Sequence, residues 1–382
     1  MIYLDNAATS FPKPANVAAG IVRFLNEIGA NPGRSGHRLS AESARIVFEA
    51  REKLAELLHA PDCGRIIFTP NATTALNTAI LSLATEDAHI ITSSMEHNSV
   101  MRPLRFLESS GRISLSLLHC SPEGEIDPGD IRKKIRGNTK LIVVQHASNV
   151  TGTLQPLREI VRAAREIPVL VDAAQTAGSF PIDVRKENFA MLAFTGHKAL
   201  LGPTGTGGLF IRNDIEVTPL TRGGTGSRSE SDEQPDFLPD ALESGTLNVA
   251  GIAGLLEAVA FVLKTGVETI RKHELDLTMH FLKKIEKIDR VETYGPDRRD
   301  RRLPTVSLNI RGIPPSELSY ALDREYGILT RPGLHCAPHA HKIIGTFPTG
   351  TVRFSFGFFN TAADVDAAVN ALKALAWPPD AA

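Results

Sequence analysis

The chain has 382 residues, 42% of them hydrophobic, and a formal net charge of −1 at pH 7, so it carries enough apolar material for a large core and, by length, for two or three domains. That near-zero charge gives no electrostatic reason to expect nucleic acid or an acidic membrane as a partner, and small molecules are the better expectation. No apolar run approaches a bilayer span and Met1–Asp5 has no secretion-signal pattern, so a cytoplasmic location is expected, with no membrane contact.

The chain opens on an extended Ile2–Leu4. From Ser40 to Leu58 apolar residues recur at helical spacing behind a serine cap. There follow strand Arg65–Phe68, helix Thr74–Ala84, strand Ala88–Thr92, a helix from about Ser99 to Ser109 and strand Ile113–Leu118. Helix Pro128–Ile135, strand Lys140–Val144, helix Leu157–Glu166, strand Val169–Asp172 and the apolar run Phe189–Phe194 continue the alternation. Strand and helix in turn, with mostly short connections, predict an α/β fold whose large domain is a doubly wound, mainly parallel sheet. Ligands of such sheets sit beyond the carboxyl ends of the strands, where Thr73, His97, Asn149, Asp172 and Lys198 all fall. Arg222–Asp236 is poor in apolar residues and reads as a mobile loop that folds over the site or over a partner subunit. After Asn248 a long helical segment runs from Ala250 through Lys283, leading to strand Thr305–Ile310, helix Ser316–Tyr326, strand Thr351–Ser355 and helix Ala362–Leu375. The expected division is a large domain over 13–250 and a smaller α+β domain formed by 1–12 with 251–382. The basic cluster Asp297–Arg302 reads as solvated surface.

Chemistry concentrates at a few positions. The run Phe189–Phe194 delivers Lys198 into the glycine-rich Leu201–Gly208, which sets a nucleophilic amine beside backbone that an anionic cofactor can approach closely. One β-α unit upstream, the strand ending in Asp172 leads into Ala173-Ala-Gln175. A carboxylate at the end of a buried strand needs a cationic partner, and a protonated pyridine nitrogen is one. Asn71-Ala-Thr-Thr74 opens a helix whose unpaired N–H groups and hydroxyls suit a phosphate. Arg353, set in an apolar strand, suits two-point binding of a substrate carboxylate. Of the three cysteines, Cys63 and Cys120 read as structural. Cys336 lies in a Pro/Gly-broken loop with Arg331, His335 and His339, and such positive neighbours favour a reactive thiolate. No disulfide framework and no metal are expected, and the histidines around Cys336 have no assignment from sequence.

The stretches Tyr3–Ala8, Met95-Glu-His97, Ser148–Gly152, Val171–Gln175, Thr195-Gly-His-Lys198, Gly245-Thr-Leu-Asn248 and Arg331–Cys336 together resemble the cysteine desulfurase and selenocysteine lyase family. These are pyridoxal 5′-phosphate (PLP) enzymes of the class V aminotransferase type, and the resemblance extends to Asn360-Thr361. It implies the PLP-dependent transferase fold (fold type I), with the cofactor tethered to Lys198 and its ring nitrogen on Asp172. It also implies His97 stacked on the ring and moving protons with Lys198, Gln175 at the phenolic oxygen, and Thr73, Thr74, Thr195 and His197 on the phosphate. Thr246 would reach the cofactor phosphate of a neighbouring subunit in a homodimer. Asn149 would assist Arg353 on the substrate carboxylate, with Arg331 beside the reactive loop. The implied activity converts L-cysteine to L-alanine, leaves a persulfide on Cys336 and passes it to a sulfur-acceptor protein for iron–sulfur clusters or thio-cofactors. The alternatives are a selenocysteine lyase; a different class V enzyme such as an aminotransferase, which would not need Cys336; and a non-catalytic sulfur relay or ligand sensor. The sequence opens directly on the first strand, so contacts that some members make through a preceding helical segment are not expected. The interval from Cys336 to Arg353 is short, as in the branch with a compact cysteine loop, which implies slow turnover without an activating acceptor.

Overall fold

The computed structural model describes residues 1–33, 36–228 and 230–377. Residues 378–382 of the expected small domain, and position 229 of the expected mobile loop, lie outside the described residues. The chain begins with a short strand, β1 (Ile2–Tyr3). Seven strands follow between residues 66 and 211: β2 (Ile66–Thr69), β3 (Ala88–Ser93), β4 (Ile113–Leu118), β5 (Thr139–Gln145), β6 (Val169–Asp172), β7 (Met191–Thr195) and β8 (Gly207–Ile211). They form one sheet in the order β2-β8-β7-β6-β5-β3-β4. The run from β4 to β7 is parallel throughout, and β8 lies antiparallel to both β7 and β2. The expected mainly parallel, doubly wound sheet is therefore present.

Strands covered on both faces read as unbroken apolar runs, and their side chains divide by parity between two cores. Ile142, Val144, Val171, Leu192 and Phe194 pack with helices Arg38–Leu58 and Val249–Thr265. Leu141, Val143, Leu170, Met191 and Ala193 pack with helices Ala72–Leu83 and Asn98–Ser109. β8 does not emerge from the sequence, because Gly207-Gly208 looks like part of a turn. The glycines are what allow the strand to insert between β7 and β2, since a Cβ on Gly208 would meet the Ile67 carbonyl oxygen at 2.7 Å.

Strands β9 (Val291–Tyr294), β10 (Thr305–Ile310), β11 (Ile328–Leu329), β12 (Arg331–Gly333) and β13 (Thr351–Ser355) follow. An antiparallel sheet of order β12-β13-β10-β9 is built from four of them, while β1 pairs in parallel with β11. Phe281, Leu308, Leu322, Phe354, Val365 and Leu372 form a separate core beneath this sheet, joined by Leu4 from the start of the chain. The N-terminal segment then crosses to the large sheet, where the His197 carbonyl oxygen accepts from Ser10 N–H (3.0 Å), Thr9 Oγ1 (3.0 Å) and Lys13 Nζ (2.9 Å).

Two expectations are corrected. The long helical segment is two helices, Val249–Thr265 and Val267–Ile285, bent by 80° at Gly266, whose φ of +87° no helix accommodates. Among the described residues no single helix is long and apolar enough to cross a membrane. The basic cluster is not all solvated surface: Arg302 is 1% exposed and donates to the Pro296 carbonyl and, at 2.7 Å, to the Thr305 carbonyl. Five guanidinium donors can close a loop onto its own carbonyls, which a count of charges does not reveal.

Candidate active site

Four chain segments leaving the carboxyl ends of β3, β5, β6 and β7 enclose a cavity of roughly 210 Å³ with the start of helix Ala72–Leu83. Thr73, His97, Asn149, Asp172, Gln175, Thr195, His197 and Lys198 all line it.

Asp172 is the last residue of β6 and is 7% exposed, with Oδ1 accepting the Ala174 N–H at 2.9 Å. Burial pushes its pKa upward, against the pull of that N–H group and of the Lys198 charge. Lys198 follows β7 on a turn that is fixed from both sides. The N-terminal segment holds the carbonyl of His197, and Gly178 packs so closely that a Cβ there would lie 2.5 Å from the Ala199 carbonyl oxygen. Burial lowers the Lys198 amine to about 8 against the attraction of Asp172, and Arg353 and Arg331 lower it further. A substantial neutral fraction is therefore present near pH 8.

His97 caps helix Asn98–Ser109: its Nδ1 accepts the Ser99 N–H at 3.1 Å and lies 2.9 Å from Ser99 Oγ, which in turn is 2.7 Å from Thr73 Oγ1. Burial, reinforced by Lys198 and Arg331, brings its pKa to about 4, so the ring is neutral. Burial brings His197 to about 4 as well. Gln175 donates to the Ala7 carbonyl at 3.1 Å, and Thr195 Oγ1 to the Thr206 carbonyl at 3.4 Å.

The structure separates other predicted residues from this cavity. Thr74 does not reach it: consecutive helix positions diverge by about 100°, and Thr74 Oγ1 turns to Asn71 Oδ1 at 3.2 Å. Thr74 and Thr246 instead line a second cavity of roughly 480 Å³. Arg353 is 1% exposed and committed within the protein, with Nη2 on Asp5 Oδ1 at 2.7 Å and Nη1 on the Asn149 carbonyl at 3.1 Å. Arg331 lies opposite Arg353 in the β12–β13 register and sends Nη2 to within 3.6 Å of Cys336 Sγ.

Cys336 is exposed. It lines a groove of roughly 590 Å³ that shares Thr73, His97 and Ser99 with the Lys198 cavity. Its loop is set by two consecutive left-handed residues, His335 (φ +49°) and Cys336 (φ +58°), a conformation that non-glycine residues seldom adopt. Asn149 Nδ2 donates to the His335 carbonyl at 2.7 Å and the Asn98 N–H to the Cys336 carbonyl at 2.8 Å. Asn149 is thus a strut for the cysteine loop. Burial raises the Cys120 thiol to about 11 and also raises that of Cys63, which leaves both as protonated thiols.

Sequence reasoning missed Gln145, Ser99 and Asp5, and the buried carboxyls of Glu96 and Glu274. Gln145 ends an apolar strand, the same signal that marks Asp172. Glu274 interrupts the apolar stripe Ile270, Leu277, Phe281, Ile285 of its helix, where a carboxyl is out of place. Among the described residues no group of three or more His, Cys, Asp or Glu could hold a metal ion.

Pyridoxal phosphate fits this donor set. Gln145 Nε2, Asn149 Oδ1 and His197 Nδ1 are buried around the cavity without a hydrogen-bond partner, and buried polar atoms are rarely left so. Asp172 offers a buried negative charge for a ring nitrogen, and the first turn of helix Ala72–Leu83 supplies N–H groups for a phosphate.

Comparison with known proteins agrees with this geometry. Residues 2–368 match the family model described as aminotransferase class-V. A probable cysteine desulfurase of Methanothermobacter thermautotrophicus is 34% identical, over 98% of this chain and 94% of the relative. A probable cysteine desulfurase of Pyrococcus abyssi is 33% identical with the same coverage. The apo structure of cysteine desulfurase from Thermococcus onnurineus NA1 superposes with a TM-score of 0.92 at 31% identity, covering 98% of this chain and 94% of that one. The S-sulfonic acid structure of the Escherichia coli cysteine desulfurase CsdA gives 0.87 at 29% identity, covering 97% and 93%.

Proposed function

Because this chain belongs to the class-V aminotransferase family, we propose that it is a cysteine desulfurase that takes the sulfur of L-cysteine onto Cys336 and leaves L-alanine. The observation that carries this reading is the pairing of an exposed thiol on a tethered loop with a cavity that holds Lys198 and Asp172, the two sharing the His97 wall. An aminotransferase would have no use for that thiol.

The family is generally dependent on pyridoxal phosphate, which when bound supplies an electron sink for the substrate α-carbon. In this chain Lys198 would hold it, Asp172 would keep its ring nitrogen charged, and His97 would lie against its ring. Thr73, Thr195 and His197 would hold the phosphate and Gln175 the phenolic oxygen. The remaining work falls to side chains. The Lys198 amine, at about 8, passes readily between its charged and neutral forms at cellular pH and can both remove and return a proton at the substrate. The neutral His97 beside it can accept one. Cys336 Sγ attacks the substrate sulfur; a sulfur–sulfur bond forms as the carbon–sulfur bond breaks, the electron pair leaves with carbon, and protonation there yields alanine. Arg331 Nη2 lies 3.6 Å from Cys336 Sγ, where it can donate to that sulfur. Arg353 binds the substrate carboxylate by loosening its contact with Asp5, a half-buried partner able to turn to water.

We further propose a homodimer in which Thr246, outside the Lys198 cavity of its own chain, serves the neighbour's phosphate. The two sheets with their separate cores are taken as a large domain over 13–250 and a small domain that includes Cys336. A sulfur-acceptor protein would receive the persulfide in the cytoplasm.

The deciding experiment is intact-protein mass spectrometry after incubation with L-cysteine. One added sulfur, mapped to the Cys336 peptide, is expected. Cys336→Ala should bind the cofactor yet neither gain the sulfur nor release sulfide, and sulfide release by that variant would end the proposal.

A further inference from the structure

A second and smaller cavity borders the Lys198 turn. It has roughly 40 Å³ of room, lined by Lys198, Gln175, Ser10, Ser179, Ser355 and the carboxyl-bearing Glu274 of helix Val267–Ile285. About 10–15 Å³ of such space admits one water molecule that has two to four polar partners, so this cavity has room for about three or four waters among several polar groups.

Glu274 is the anomaly. It is 6% exposed, its Oε2 is buried with no hydrogen-bond partner, and it occupies a core position of its helix. A carboxyl of this kind is normally replaced by an apolar residue or answered by a cation. No hydrogen-bond partner answers Oε2, and Glu274 borders a space that Lys198 borders too.

We propose that Glu274 is a buried proton reservoir for Lys198, exchanging a proton with the amine through water held in this cavity. This rests on the reading of Lys198 as the group that moves protons at the substrate. The exchange is balanced: the Glu274 carboxyl gives up its proton, the neutral Lys198 amine becomes an ammonium, and the reverse transfer restores both. Glu274 touches neither substrate nor cofactor, so it acts through Lys198. Two properties support the assignment. Burial raises Glu274 to about 8, the same region to which burial lowers Lys198, so transfer in either direction is close to balanced. Burial alone raises Glu274, while Asp172, Arg353 and Arg331 also act on Lys198. Lys13 is bonded to Ser10 at 2.7 Å; on the helix of Glu274, Arg271 lies over the Phe180 ring at 4.7 Å and His273 is turned to the Asn360 carbonyl at 2.9 Å.

Glu274→Gln keeps the shape and removes the proton. In the holoenzyme the alkaline limb of kcat against pH should move by about one unit or more and kcat at pH 7 should fall about tenfold, with KM within about twofold. In the cofactor-free protein, a wild-type minus Glu274→Gln infrared difference spectrum at pH 7 should contain the carbonyl stretch of one protonated carboxyl, lost as pH passes about 8. No such band, or an unmoved pH profile, overturns the proposal. If Glu274→Gln does not fold, Glu274→Asp takes its place: it keeps the carboxyl but withdraws it by one methylene, so band and limb should shift, and no shift in either overturns the proposal equally. Wild-type protein that gains no sulfur on Cys336 would instead refute the desulfurase reading, a separate result from the loss of the carboxyl band.

Discussion

Arg51 and Glu243 form a buried, two-pronged ion pair whose removal offers a quantitative test of how the Thr246 segment is held. Arg51 on helix Arg38–Leu58 reaches Glu243 through Nη1 to Oε1 at 2.8 Å and Nη2 to Oε2 at 3.0 Å, with 6% and 8% of the two residues exposed. Glu243 Oε1 also accepts the Phe68 N–H at 2.6 Å, and the guanidinium stacks 4.7 Å above the Phe68 ring. Glu243→Ala would leave a buried guanidinium uncompensated and the Phe68 N–H of β2 without an acceptor. Breaking such a pair from one side costs about 3–5 kcal/mol. Arg51→Ala should cost a similar amount. The double variant removes both charges and loses the bond between them once, so its cost should fall short of the sum by about 2–3 kcal/mol. Replacing both by Leu or Met should recover most of the loss, since well-packed apolar pairs are often at least as stable as buried ion pairs. Urea midpoints of the four proteins, followed by far-ultraviolet circular dichroism, provide the cycle. Additivity within about 0.5 kcal/mol would refute the account, because it would mean that the two side chains do not depend on each other.

Other outcomes follow from single features. Gly178→Ala, at φ +104° and with its Cβ 2.5 Å from the Ala199 carbonyl oxygen, should lose about 2–4 kcal/mol of stability. It should also weaken cofactor retention on dialysis by displacing the Lys198 turn; full retention would show that the turn tolerates movement. Asp172→Asn removes the charge that holds the Lys198 amine up, so the amine pKa should drop below about 8, read from the pH dependence of acylation in the cofactor-free protein; a rise would contradict the sign. Burial raises Glu96 from 4.5 to about 8, with Oε1 on Ser93 Oγ at 2.5 Å and Oε2 unpartnered. The native state thus keeps a proton that the unfolded chain releases, and stability from this group is full below pH 4.5 and declines up to about pH 8. Glu96→Gln should flatten urea midpoints over that range, and an unaltered slope would mean that the carboxyl is not buried in solution.

Much of this was legible in the chain because polar side chains of the cavity end or closely follow apolar strands. Asp172 and Lys198 could be placed at one sheet edge by counting β-α units, and the cavity they share bears that out. Glycines and long polar side chains obscured the rest. Gly207-Gly208 conceals a central strand, and Gly266 a bend between two helices. Arg302 and Arg353 read from sequence as groups free to meet solvent or substrate. Each has enough donors to satisfy itself on nearby carbonyls or on Asp5, and such choices depend on loops that periodicity does not describe. Thr74 was one residue out of phase with the pocket for a reason that lies in helix geometry alone. Glu274 left the clearest trace, a carboxyl in the middle of an apolar stripe.

The partnership of β1 with β11 joins residues 2–3 to residues 328–329, and so gives this protein an order of assembly. During synthesis the leading segment has no sheet to enter until more than 300 residues have emerged, although the large sheet beyond it is already complete by residue 211. Residues 9–13, which clasp the lysine turn through the His197 carbonyl, are carried by that same late-docking segment. One short segment thus serves both that pairing and the lysine turn, so whatever loosens β1 from β11 reaches the His197 carbonyl as well.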